Sequence, residues 1–263
     1  MRTTARRTAL TASAAALALL VAACGGGDEK GGDEAAKGDA AAGAPAAKAL
    51  TTAELEKLVI APADLEDHKV AEPGKDDVPD PGTLSVEQAE CEPVAQALSS
   101  APTGEPAASV QRLVTRESEA AKKGMPDLTG LTEKEAEEAM LDSLDITRTT
   151  TSLRSYDADG TKRALDALRE AGKQCAGGFA MSVDGEKQQV TKVTEEKLAA
   201  GEGAVAWTVG TELDGTPADT KVVVFRQGVT LAGFSSFNVA AVGRGEAFEQ
   251  PTAVIEAQEA KLG

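Results

Sequence analysis

From Leu50 onward the apolar positions follow two alternating periods, and these set out the elements. Thr51-Thr52-Ala53-Glu54 supplies cap residues and an early acid, with Leu55, Leu58 and Val59 recurring on one helical face. Ala61 to Gly82 holds Pro62, Pro73, Pro79 and Pro81 with little periodicity, which predicts loop and a short strand around Lys69-Val70-Ala71. Pro93 suits the first turn of a short helix through Leu98. Ala107 to Glu117 alternates and predicts a strand. Thr132-Glu133-Lys134-Glu135 is a capping box that opens a helix with Ala136, Ala139 and Met140 on one face. The threonine-rich run Ile146–Tyr156 suits a half-exposed strand. Ala164, Leu165, Leu168, Ala171 and Cys175 recur every three or four residues, a helix from Asp159 to Cys175 ended by Gly177-Gly178. Strand-like runs follow at Phe179–Val183, Gln189–Thr194, Ala204–Leu213 and Lys221–Arg226. The last turns through Gln227-Gly228 into Val229–Val239 as a hairpin. Pro251 opens a terminal helix to Leu262.

Mixed helices and strands, then a run of strands, then a helix, favour the α+β class. The expected architecture is a largely antiparallel sheet with helices packed on one face, spanning residues 49–263. No internal repeat is present.

The first 48 residues follow neither period. Met1 to Arg7 carries three arginines and no acid. Thr8 to Ala23 is uncharged and rich in Ala, Leu and Val, too short to span a bilayer comfortably. This is the layout of a secretory signal, residues 1–23. It ends in Val21-Ala22-Ala23-Cys24, which resembles the bacterial lipobox. That resemblance implies cleavage before Cys24 and a diacylglyceryl group on its thiol, with two or more acyl chains giving a stable anchor. Arg6-Arg7 is a feature of twin-arginine leaders, but Ala5 and Thr8-Ala9 fit the general secretory route better. Residues 24–48 combine the lipid-bearing cysteine with a spacer of Gly, Ala, Asp, Glu and Lys. The spacer has too little apolar surface to offset its ordering entropy, so a flexible tether is expected. The chain is thus expected on the outer face of the cell membrane, held through lipid.

Charge narrows the partners. The formal net charge of −16 becomes −19 once Arg2, Arg6 and Arg7 leave with the leader. A surface so acidic repels phosphate backbones and excludes nucleic acid as a partner. Aromatics make up only 3% of the chain, so Val, Leu, Ile and Ala must build the core around Trp207, Tyr156 and five Phe.

With Cys24 assigned to lipid, Cys91 and Cys175 remain as a pair in an oxidising compartment, and a disulfide between them is expected. It would close a loop of about 85 residues and contribute ~4 kcal/mol by chain-entropy reasoning. The alternative is two separate buried thiols.

No catalytic set emerges. The single histidine, His68, stands in Asp67-His68-Lys69 without a Gly-x-Ser-x-Gly elbow to supply a serine partner, and reads as a solvated loop residue. One imidazole does not make a familiar zinc site, and neither a metal nor a cofactor is expected. Asp157-Ala158-Asp159-Gly160 is similar to the start of a calcium loop. Leu168 stands where the twelfth-position glutamate belongs, so the turn and N-cap of the following helix is the better reading. Gly243-Arg244-Gly245 reads as a loop with one basic residue.

Several features together resemble a known sensor-type domain. They are the Leu50–Ile60 helix, Cys91-Glu92-Pro93-Val94, Ser155-Tyr156, the Leu165–Cys175 helix, Phe225-Arg226-Gln227-Gly228-Val229 and the closing Gln258-Glu259-Ala260-Lys261-Leu262. This family is the extracellular sensor domain of lipoproteins from high-GC Gram-positive bacteria and of PknH-like receptor kinases. It implies a ligand-sensing role and supplies no catalytic residue. Kinase-linked members have two disulfides, whereas one is possible here. The leading expectation is a non-enzymatic ligand-binding or sensor module for a small apolar or amphipathic ligand. The alternatives are a carrier or chaperone for an envelope lipid, a lipoprotein that binds an envelope protein and no small ligand, and a hydrolase built on acidic residues. Trp207, Phe225 and Phe234 are the candidates for a pocket wall, with plain core as the other reading of all three.

Overall fold

A computed structural model describes residues 47–263 apart from Asp214. The leader, Cys24 and nearly all of the 24–48 spacer lie outside the described residues. The elements run α1 (Thr52–Leu58), β1 (His68–Ala71), β2 (Ser85–Val86), α2 (Glu92–Leu98), β3 (Ala108–Glu117), α3 (Glu133–Ser143), β4 (Ile146–Ser155) and α4 (Gly160–Gln174). They continue with β5 (Phe179–Val183), β6 (Glu186–Glu195), β7 (Ala204–Leu213), β8 (Thr216–Gln227), β9 (Thr230–Asn238), α5 (Val239–Arg244) and α6 (Thr252–Leu262). The strands form one sheet in the order β1-β3-β4-β9-β8-β7-β6-β5-β2, and every pairing is antiparallel.

Local chemistry explains the boundaries. Thr51 and Glu54 exchange hydrogen bonds in a capping box at α1, and Thr132 and Glu135 do the same at α3. The Thr51 and Thr132 backbone N–H groups, and then the threonine hydroxyls, hold both carboxyls below the usual glutamate range. Asp184 and Gly185, at φ 53° and 84°, make the two-residue turn from β5 into β6, the dihedral pair that Asp-Gly tolerates. Asn238 ends β9 because its side-chain carbonyl accepts from Ala241 N–H at 2.8 Å, starting α5. The strand expected to reach Val239 therefore stops one residue earlier, and Gly243-Arg244 belongs to the end of a helix rather than a loop.

Helices cover both faces of the sheet, which corrects the single-face expectation. On one face α2 and α4 bury Val94, Ala95, Leu165 and Leu168 against Trp207, Val209, Val222 and Val224. On the other, α1 and α6 bury Leu55, Val59 and Ile255 against Leu153, Val223, Phe225 and Phe234. The unbroken run Val222-Val223-Val224-Phe225 is the sequence signature of burial on both sides. The same layering changes the reading of β4. Set between β3 and β9, it buries Thr149, Thr151, Ser152, Arg154 and Ser155 instead of lying half exposed.

Candidate functional site

Cys91 sits at the N-cap of α2 and Cys175 at the C-cap of α4, and their sulfurs are bonded with the Cα atoms 5.7 Å apart. The two helices are thereby tied together. Further along, Ala89, Pro93 and Gln96 on the α2 side face Gly160, Ala164 and Ala167 on α4. Gly160, Ala164 and Ala167 form one stripe of α4, and Pro93 and Gln96 one of α2, with Ala89 in the turn that leads into it. Between them, with Ala89, Gly160, Ala164 and Ala167 small, lies a cleft of about 720 Å3. Gly160 is needed there because a Cβ at that position would lie 2.6 Å from the Tyr156 Cβ.

The segment 99–107 forms the third wall and is pinned from below by β4 and its continuation. The Tyr156 hydroxyl donates to the Thr103 carbonyl at 2.7 Å. The Arg154 guanidinium donates to the Ser100 carbonyl, which also accepts from the Gln111 amide at 2.8 Å. These bonds hold Ser100 in the left-handed region at φ 56°. Burial pushes the Tyr156 phenol up to about 12, against the pull of Arg154, and burial lowers Arg154 to about 10. At neutral pH the wall therefore rests on a neutral phenol and a charged guanidinium. Arg154 is 5% exposed, forms no ion pair among the described residues, and leaves its Nε without a partner.

At the rim, Glu92 accepts from the Gln96 amide at 2.9 Å. Arg163 is exposed and forms none of the ion pairs among the described residues. Asp157 accepts from Ala49 N–H at 2.9 Å, fastening the start of the described chain beside the cleft. Asp159 occupies the N-cap of α4, but its carboxylate makes no capping hydrogen bond. An apolar floor under a rim of mixed charge is suited to holding an amphipathic molecule.

The sequence-derived wall residues do not come together. Trp207 is 3% exposed under α4, where a Cβ on Gly172 would meet its indole at 2.8 Å. Phe225 and Phe234 lie on the opposite face, stacked on one another with ring centroids 5.9 Å apart. All three are core, and none lines the cleft. The side chains that do, Tyr156 and Arg163 above all, carried only a weak signal: a tyrosine before Asp-Ala-Asp-Gly and one more arginine on an amphipathic helix. His68 lies on β1, and among the described residues no group of three or more His, Cys, Asp or Glu is placed to hold a metal. No helix among the described residues is long and apolar enough to cross a membrane.

No protein-family model matches the chain, and no curated protein matches it. Among solved structures it is similar to the crystal structure of the extracellular domain of PknH from Mycobacterium tuberculosis. The TM-score is 0.51 at 9% identity, covering 82% of this chain and 97% of that one. Identity so low leaves the likeness one of fold: this chain is an α+β domain of the architecture seen in that extracellular domain.

Proposed function

We propose that the chain is a membrane-anchored extracytoplasmic lipoprotein whose α2–α4 cleft binds a small amphipathic ligand, acting as a sensor or binding module rather than as a catalyst. The observation that carries this reading is the clamped cleft itself. A disulfide ties its helices, Arg154 and Tyr156 hold its loop wall, and small residues keep its floor open. Such fixed walls lower the ordering cost of binding. The fold likeness to an extracellular domain and the lipobox-like Val21-Ala22-Ala23-Cys24 support the location.

The test is to purify the chain from its native membrane, measure its intact mass, and analyse an organic extract by mass spectrometry. The expected mass lacks residues 1–23, carries diacylglyceryl on Cys24, and includes the Cys91–Cys175 bond. The extract should hold an amphipathic molecule that is lost from an Ala167→Trp variant, whose indole would fill the cleft. Equal retention by that variant would place binding elsewhere, and an unmodified Cys24 would remove the anchor. A protein-interaction role is favoured by one separate observation. Met125, Leu128, Leu131 and Leu144 are 72%, 41%, 40% and 38% exposed around α3.

A further inference from the structure

The connection from β3 to β4 is far longer than the pairing needs. Antiparallel neighbours are ordinarily joined by about 2–5 residues, yet this one runs from 118 to 145 and carries α3. Only Ser143 is buried along it. The segment is nonetheless fixed. Leu141 seats on Gly243 of α5, where an added Cβ would lie 2.6 Å from its Cδ2, and Arg244 pairs with Glu138 at 3.1 Å and Asp142 at 2.6 Å. In the loop ahead of α3 the Asp127 carboxylate accepts from Thr129 N–H at 2.9 Å, and Leu131 N–H donates to the Leu128 carbonyl at 3.3 Å. This ordered loop presents Met125, Leu128 and Leu131, which are 72%, 41% and 40% exposed. A long, ordered connection that adds so little to the core, with its large apolar side chains in water, has the character of a binding element.

Charge and position say what covers it. Asp127, Glu133, Glu135 and Glu137 are exposed and join none of the ion pairs among the described residues, whereas of the bases between 118 and 145 only Lys123 and Lys134 are equally free. Ala47, where the tether from Cys24 joins the domain, accepts from Ala158 N–H beyond the far end of β4, a strand whose 10 residues span about 33 Å. In a domain anchored at Cys24 the loop therefore points away from the bilayer, and anionic headgroups would repel its acids in any case. A second copy of the chain is disfavoured by the same charge, because a two-fold interface would set these acids against themselves. We propose that the Met125–Leu131 loop and α3 dock a partner protein of the cell envelope, one that offers an apolar pocket rimmed with Lys or Arg. The apolar side chains fill the pocket and carry the affinity, and Glu133 and Glu137, one turn apart on α3, meet the basic rim. The proposal deepens the protein-interaction reading given above. Its orientation argument rests on the anchor at Cys24, and its charge argument does not. The surface shares no residue with the α2–α4 cleft, so the two assignments stand or fall separately.

The test places the photo-crosslinking residue p-benzoylphenylalanine at position 128 of the full chain in its native membrane, with exposed position 187 on β6 as the control, and identifies the products by mass spectrometry. One envelope protein should cross-link from 128 and not from 187. That protein, once purified, should bind the unaltered chain with an affinity that falls at least about tenfold between about 50 and 500 mM salt. Leu128→Ser with Leu131→Ser should weaken binding by at least about tenfold. Glu133→Gln with Glu137→Gln should weaken it severalfold and flatten the salt dependence, the urea midpoint staying unchanged in both double variants. Cross-linking to lipid alone, to a second copy of this chain, or to nothing would overturn the proposal. So would a partner whose affinity for the unaltered chain ignores salt, a result that does not depend on any variant folding.

Discussion

Gln258 on α6 closes the end of α1 with both atoms of its carboxamide: Oε1 accepts from Ile60 N–H at 3.0 Å, and Nε2 donates to the Leu58 carbonyl at 2.8 Å. The side chain is fully buried, so no water can replace it. Beside it Lys261 pairs with Asp64 at 2.7 Å. The last helix of the chain is thereby fixed to the first across about 200 residues of sequence. Gln258→Leu keeps the bulk but strands a buried N–H and a buried carbonyl. It should lower unfolding stability by roughly 3 kcal/mol, read from the midpoint of urea denaturation. Gln258→Glu should be no better, because a carboxylate cannot donate to Leu58.

That contact also marks how far the sequence could be read. Elements with a local signal were legible: the Thr51 and Thr132 capping boxes, the amphipathic Leu165–Leu168–Ala171 stripe, the Gln227-Gly228 hairpin. The antiparallel α+β class followed from their order. The two-sided covering of the sheet was written in Val222-Val223-Val224-Phe225, but a short apolar run does not say which helices lie on which face. The site was barely legible. Its floor is made of alanines, which have no chemistry to advertise. Its wall depends on Arg154 and Tyr156 reaching Ser100 and Thr103, contacts between residues some 53 or 54 apart in the chain. Large aromatics were the visible candidates, and Trp207, Phe225 and Phe234 went to the core because burying large apolar surface is what they do best.

The disulfide joins the two helices that frame the cleft, so its removal should act on stability and on binding together. Cys91→Ser with Cys175→Ser frees a loop with a sequence separation of 84. The loss should be ~4 kcal/mol by loop entropy, seen as a lower urea midpoint. Hydrogen exchange should rise in α2 and in residues 99–107 before it rises in β7 and β8. Equal exchange in both regions would show that the bond stabilises the fold without shaping the cleft.

Replacing a helix glycine by alanine ordinarily stabilises by about 0.5–1 kcal/mol. Gly172 should reverse that sign. Its added Cβ would sit 2.8 to 2.9 Å from three atoms of the Trp207 indole, a rigid ring buried between α4 and the sheet. Gly172→Ala should therefore destabilise by about 1–3 kcal/mol, the range for overpacking a close-packed core. Trp207 is the only tryptophan, so its emission maximum should report the displaced ring directly.

Tyr156 is the only tyrosine, which makes its ionisation visible as the sole tyrosinate absorbance. Burial holds the phenol at about 12 in the fold, against about 10 in an unfolded chain. A folded value above the unfolded one means that its contribution is fully present below pH 10. It is lost as pH rises towards 12, because the unfolded chain gives up the proton first. Arg154 works in the opposite sense. Burial brings it to about 10, below its unfolded value, so the unfolded chain holds the extra proton and stability gains as pH rises through that window. The two slopes offset in the natural chain. Arg154→Met should expose the tyrosine's share and steepen the loss of stability between pH 10 and 12, as well as raising the phenol's midpoint, because the nearby positive charge is gone. Tyr156→Phe should leave Arg154's share alone, so that stability rises through the same window. If spectrophotometric titration gives an ordinary phenol in the folded protein, Tyr156 is not sealed against Thr103, and the wall of the cleft is looser than its hydrogen bonds imply.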